Sequence, residues 1–165
     1  LGMPLSRGIS RATWGGTLLL LLLSGLTLYS YHLEVNKENW RGIAQKVSDL
    51  PAGRRLIVFV ANDGQLPFDY YYHYRPGDEA TGVPRGFFDR DPPRTMLRVR
   101  VERDLWPLNS RLASGHYDQV VLVLAHQEWA DPNHLTQTLL RKHWPIAGRE
   151  DLNNVAIQWY QPNGP

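Results

Sequence analysis

The chain has 165 residues, and its 18 Lys+Arg against 16 Asp+Glu leave a formal net charge of +2. A dedicated nucleic-acid binder carries a clustered basic excess, so no nucleic-acid partner is expected. There is no cysteine, which excludes disulfides, Cys-ligated zinc and thiol catalysis. Six Trp and eight Tyr suit surfaces with one apolar and one wet side, the membrane surface included.

The first element is apolar. From Gly15 to Leu33 no residue is charged, and Leu18 to Leu23 are consecutive leucines. At ~1.5 Å per residue such a helix reaches roughly 28 Å, close to the hydrocarbon thickness of a bilayer. Trp14 at one end and Tyr29 and Tyr31 at the other match an aromatic belt. The apolar run leads into Tyr29-Ser30-Tyr31-His32-Leu33, a poor peptidase site because it lacks small residues before a cleavage point. A retained transmembrane helix is therefore the expectation, with an uncleaved signal and a buried core helix as alternatives. Arg7 and Arg11 precede the span, and the positive-inside rule then puts the domain outside the cytoplasm. Lys37 and Arg41 on the far flank pull the other way. The organisation predicted is a cytoplasmic flank over 1–13, a transmembrane helix over 14–33 and an extracytoplasmic domain over 34–165, in the cell inner (plasma) membrane. Roughly 130 residues remain after the span, enough for one packed core.

Asn36 can cap a helix from Lys37 to about Leu50, with Trp40, Ile43, Ala44, Val47 and Leu50 on one face. Leu56 to Ala61 is a continuous apolar run, as in a strand buried on both faces. Asn62-Asp63-Gly64 breaks it, and Gln65 to Tyr74 reads as a helix with Pro67 in its first turn. Arg75 to Thr95 reads as loop. Met96 to Val101 alternates as a half-wet strand, with Leu97, Val99 and Val101 on one side. A weaker helix over Asp104 to Ser114 is interrupted by Pro107. Gln119 to Ala125 is a second buried strand. Asp131 and Pro132 open a helix through His143, and Asn154 to Gln161 closes the chain as a strand with Val155, Ile157 and Trp159 inward. Alternating strands and helices predict an α/β fold: a small three-layer, mostly parallel sheet domain behind one N-terminal transmembrane helix.

In open parallel sheets ligands bind beyond the carboxyl ends of the strands. There the first strand empties into Asn62-Asp63-Gly64-Gln65, with Tyr71 shortly after, and the second into His126-Gln127-Glu128-Trp129. Asp63, Gln65, Tyr71, His126 and Glu128 are thus the candidate ligand-binding residues, for a small polar ligand such as a sugar walled by Trp129 and a tyrosine. The competing account is structural: Asn62 and Asp63 make a turn, Tyr70 to Tyr72 cover the core or rest on lipid, and Trp129 plugs the sheet end. His126, Glu128 and His134 fit no metal-ligand spacing, so no metal is expected. No dinucleotide, phosphate-loop or nucleophile-elbow motif occurs, and no cofactor is expected. Asp89 and Asp91 alternate with Arg90 in a proline-rich stretch that reads as solvated loop. Arg85, Arg90, Arg94, Arg98, Arg100 and Arg103 form a basic stretch: a solvated face, or one that meets lipid phosphates if held near a membrane.

An apolar helix, then Glu38-Asn39-Trp40-Arg41-Gly42-Ile43-Ala44, a buried strand and Leu66-Pro67-Phe68-Asp69-Tyr70-Tyr71 resembles the C-terminal end of bacterial multi-span GT-C glycosyltransferases, the dolichyl-phosphate-mannose–protein mannosyltransferase-like family. Tyr117 to His126 looks like that family's late core strand, and Asn154 to Tyr160 like its closing strand. The resemblance covers about Trp14 to Tyr160. It implies a C-terminal ectodomain fragment of a membrane enzyme that moves a sugar from a polyprenyl-phosphate carrier. The partners so implied are the lipid bilayer, the remaining membrane part of the transferase and a lipid-linked sugar phosphate. The family's catalytic aspartate lies in a first extracytoplasmic loop with no counterpart here, so the resemblance implies no catalytic residue, and the chain is expected not to catalyse by itself. The alternatives are a self-contained single-span binding or interaction domain, and an independent enzyme built on Asp63, His126 and Glu128.

Overall fold

The computed structural model describes residues 11–34, 37–88 and 97–162. Arg7, Asn36, the Asp89–Asp91 pair with Arg90, Arg94 and Met96 lie outside the described residues. The chain divides into two units, Leu1–Asn36 and Lys37–Pro165.

The first unit holds one helix, α1 (Arg11–Glu34). It is long and apolar enough over Trp14–Tyr31 to cross a membrane, and the side chains of that stretch are exposed. A leucine run in a helix has no polar face to give to water, so its whole circumference seeks an apolar surround.

The second unit has mixed α/β content around a five-stranded sheet. Its elements are α2 (Trp40–Asp49), β1 (Arg55–Val60), α3 (Gln65–Tyr71), β2 (Asp78–Gly82), α4 (Trp106–Ser114), β3 (Gln119–Ala125), α5 (Gln127–Ala130), α6 (Leu135–His143), β4 (Ile146–Leu152) and β5 (Val155–Tyr160). The sheet order is β2-β1-β3-β5-β4. β1 pairs parallel with β2 and β3, whereas β5 pairs antiparallel with β3 and β4. The sheet is therefore mixed rather than mostly parallel. Its antiparallel half comes from a hairpin whose turn, Asn153-Asn154, holds both residues at positive φ (37° and 62°), the geometry that matches strand twist.

The strand pleat sorts the core into two clusters. Leu56, Val58 and Val60 of β1 join Val120, Leu122 and Leu124 of β3, with Leu108 of α4 and Leu140 of α6. Ile57 and Phe59 join Val121 and Val123, with Trp40, Ile43 and Val47 of α2 and Phe68 of α3. β1 and β3 are buried along their whole length, as their continuous apolar runs predict.

Several local expectations change. α3 ends at Tyr71 rather than Tyr74, and Pro107 sits in the first turn of α4 instead of interrupting a helix from Asp104. α2 begins at Trp40, because the side chain of Asn39 accepts the Gly42 N–H at 2.9 Å and caps it there. Asp78–Gly82, within the expected loop, is edge strand β2, a polar segment that β1 recruits by backbone pairing. Leu97–Val101 forms no strand: Val99 is buried and donates one backbone bond to Ala130, but Val101 is exposed and no ladder forms. β4 was not expected at all, since its residues are mostly exposed and carry no apolar signal. Asp131 does cap α6, but from a distance. Its carboxylate accepts the N–H groups of Leu135 and Thr136 at 2.9 and 2.8 Å, and Pro132 sits in the turn before the helix.

At the starting edge of the parallel strands lies a buried ion pair. Arg55 donates to Asp78 through Nε at 2.7 Å and Nη2 at 2.9 Å, to the Tyr72 hydroxyl at 2.7 Å and to the Val47 carbonyl at 2.7 Å. The Tyr72 hydroxyl in turn donates to Asp78 at 2.7 Å. Burial opposes ionisation of Asp78, but bonds from Arg55, Tyr72 and the Arg75 N–H outweigh it and hold the carboxyl below its ordinary range. Burial and the bond to Asp78 push the Tyr72 phenol up to about 12. Arg55 and Asp78 are register partners at the start of β1 and β2, so this cluster fastens the polar edge strand to the core.

Candidate functional site

β1 and β3 run side by side and end together: Val60 faces Leu124, and the Ala61 N–H reaches the Ala125 carbonyl at 2.8 Å. Both then turn away from the sheet. After β1, Asn62–Gly64 forms a 3-10 turn that leads into α3. Asn62 is buried, and its side-chain oxygen accepts the Leu97 N–H at 3.0 Å. This leaves Asp63 at the sheet edge. After β3, His126 takes a left-handed conformation, φ 49°, and starts α5.

A third element completes the edge. Glu38, just before α2, accepts the Trp40 indole N–H at 2.8 Å on one carboxylate oxygen. The other oxygen stands 2.9 Å from His126 Nε2. Trp40 is fixed from below by Gly64, where a Cβ would come within 2.9 Å of the indole ring. Glu38, Asp63, Leu66, Pro67, Phe87 and His126 contribute to the walls of a cleft of about 340 Å³. Asp63 Oδ1 is buried there with no hydrogen-bond partner among the described residues.

The residues singled out in the sequence divide accordingly. Asp63 and His126 share this cleft. Glu128 lines a separate one of about 260 Å³ with Arg149, Asp151 and Asn153, and only His126 borders both. Gln65 and Tyr71 line neither. The Gln65 side chain bonds Asp69 and Tyr74. Burial pushes the Asp69 carboxyl up, and bonds from Tyr74 and Gln65 pull it partly back. Tyr71 lies under the Arg41 guanidinium, 5.6 Å from the ring centre. Trp129 is half-exposed with the Arg98 guanidinium 5.4 Å from its ring, and Tyr72 belongs to the Arg55 cluster. His134 occupies the first position before α6 without capping it, its Nδ1 2.8 Å from Gln137 and 2.6 Å from Gln127. Among the described residues no three His, Asp or Glu side chains gather as a metal set.

Sequence reasoning did not single out Glu38 or Phe87 as site residues. Glu38 appears in the stretch that carries the family resemblance, but its role depends on α2 packing over the ends of β1 and β3. No local pattern encodes that.

The chemistry of the cleft follows from its charges. The two carboxylates repel a phosphate, and together with the imidazole they suit hydroxyls. A joint acid–base mechanism needs its groups within hydrogen-bonding reach of one reacting atom. Asp63 and Glu128 occupy different clefts, and the carboxylate within hydrogen-bonding distance of His126 Nε2 is that of Glu38. The chain matches no protein-family model and no curated protein.

Proposed function

We propose that the chain is the last membrane helix and the extracytoplasmic domain of a multi-span glycosyltransferase that uses a polyprenyl-phosphate sugar donor, and that it is non-catalytic by itself. In this reading α1 crosses the inner membrane once with its N-terminus in the cytoplasm, and helices cover both faces of the sheet in three layers. The observation that carries the reading is the succession of parts. A helix apolar over its whole circumference leads within a few residues into an α/β domain. The stretches that carry the family resemblance fall on α2, α3, β3 and β5, the elements that build one face of the core and the cleft edge. The cleft's carboxylates favour the hydroxyl-bearing acceptor or sugar over the carrier's phosphate, so its role is to guide substrate.

The coding sequence immediately upstream tests this reading. An uninterrupted frame with many further apolar spans, and an aspartate in the first outward loop, is the expected result. An in-frame stop just before the codon for Leu1 would overturn it. The cleft favours a second reading, a single-span membrane-anchored binding domain that takes a polar ligand beside Asp63 and His126.

A further inference from the structure

One surface has no part in the cleft or in the core. After the buried Val99 the chain rises into a short 3-10 turn over Glu102–Leu105 and enters α4 at Trp106. The turn is rigidly built. Leu105 is buried beneath it, and the Asp104 carboxylate accepts the N–H groups of Arg100 and Val101 at 2.7 and 3.1 Å. On this fixed base the tip presents apolar groups to solvent: Val101 is 53% and Trp106 68% exposed. Shallow grooves flank Trp106 on both sides. One, of about 280 Å³, has Leu105, Leu135 and Leu139 in its walls, and the other, of about 530 Å³, has Leu97 and Pro107. Arg103 borders both grooves and Lys142 the first.

The charge is lopsided. Among the described residues, Arg98, Arg100, Arg103 and Lys142 stand in or beside the tip, against Glu102 and Asp104. Asp104 is held charged by the N–H groups of Arg100 and Val101, and Glu102 pairs with Lys142 at 3.7 Å, so four cations against two carboxylates leave two positive charges in excess. An exposed indole set among arginines is the composition of a membrane–water interface, where the ring sits at headgroup level and the cations meet phosphates. The same chain supplies a helix long and apolar enough to hold it at a bilayer.

We propose that the Arg100–Pro107 tip docks on the headgroup layer of an anionic bilayer, with Trp106 and Val101 inserted and Arg100 and Arg103 on lipid phosphates. This rests on α1 spanning the membrane and is independent of any transferase. Docking of this kind restricts the domain to one orientation on the lipid surface.

The absence of cysteine makes the test direct. The full chain carries a single spin label at Val101→Cys, or at Gly25→Cys in α1, where an added Cβ meets nothing within 4 Å. Each is placed in nanodiscs of phosphatidylcholine alone or mixed with phosphatidylglycerol, and accessibility to oxygen and to a nickel chelate is compared. The label at 101 is expected to become oxygen-accessible and nickel-protected in the anionic discs. Adding R100Q and R103Q should reverse this, since each basic residue near an anionic surface is worth roughly fivefold in occupancy and two together roughly 25-fold. A label at 101 that stays nickel-accessible in both lipids, while the one at 25 is oxygen-accessible, overturns docking but leaves the span intact. Protection at 101 from both reagents regardless of lipid charge also overturns it, since the tip is then covered by protein rather than lipid. A nickel-accessible label at 25 removes the membrane span itself, and docking with it.

Discussion

The two ends of the parallel strands treat their charges in opposite ways. At the starting edge, Arg55, Asp78 and Tyr72 form a closed set in which the buried guanidinium finds four acceptor contacts and the carboxylate is matched on both oxygens. At the finishing edge, Glu38 and His126 meet across a cleft with the His126 side chain 55% exposed, and Asp63 Oδ1 has no partner among the described residues. The first end is built to hold the sheet together, although the buried Gln119 amide beside Arg55 also lacks a partner there among the described residues. At the second the unmatched group is a carboxylate oxygen lining an open cleft, a place where a ligand can supply the complement.

The sharpest way to break the contrast is Asp78→Ala. It strands the Arg55 guanidinium, 1% exposed, and removing one member of a buried pair costs about 3–5 kcal/mol. Denaturant unfolding of the full chain in detergent should show that loss and early exposure of β2. Acid tests the same end without a mutation. The Asp78 carboxyl is held below its ordinary range, so its contribution is fully present above the unfolded value of about 3.9 and lost as pH falls through the folded pKa. Unfolding midpoints across the acid range should fall in wild type and fall less in Asp78→Asn.

At the other end, Gly64→Ala should cost about 1–3 kcal/mol by overpacking, because the new Cβ would meet the Trp40 ring at 2.9 Å. The displaced indole should appear as a change in tryptophan emission. Glu38→Gln should be the mildest. The pair it breaks is partly exposed, and such pairs are worth about 0–1 kcal/mol. A stability loss near that of Asp78→Ala would place Glu38 among the residues that hold the fold and erase the distinction between the two ends.

The cleft shows how far residue-by-residue reading reaches. That β1 and β3 would end in chemically capable loops was legible, since Leu56–Ala61 and Gln119–Ala125 declare themselves as buried strands. That Asp63 and His126 share a cleft required the two strands to be neighbours in parallel register. That Glu128 turns into another cleft follows from the left-handed backbone at His126, which no motif encodes. Gln65 and Tyr71 were drawn in by proximity in sequence, yet one turn of α3 carries them toward Asp69 and Arg41.

The sequence by itself determined the elements whose information is local: the apolar circumference of α1, the buried face of α2, and the continuous apolar cores of β1 and β3. Burial of side chains writes itself into hydropathy, and hydropathy can be read one residue at a time. β5 reads as alternating, but both its faces are buried, Gln158 and Tyr160 included, while Trp159 is only half-buried. Only the tertiary structure decided the edges and the cleft. β2 and β4 are held by backbone pairing, which leaves almost no mark on composition, and β4's hairpin makes the sheet mixed. The meeting of Glu38, Asp63 and His126 depends on three elements packed at one sheet edge, and packing between elements distant in the chain is a property of the whole fold.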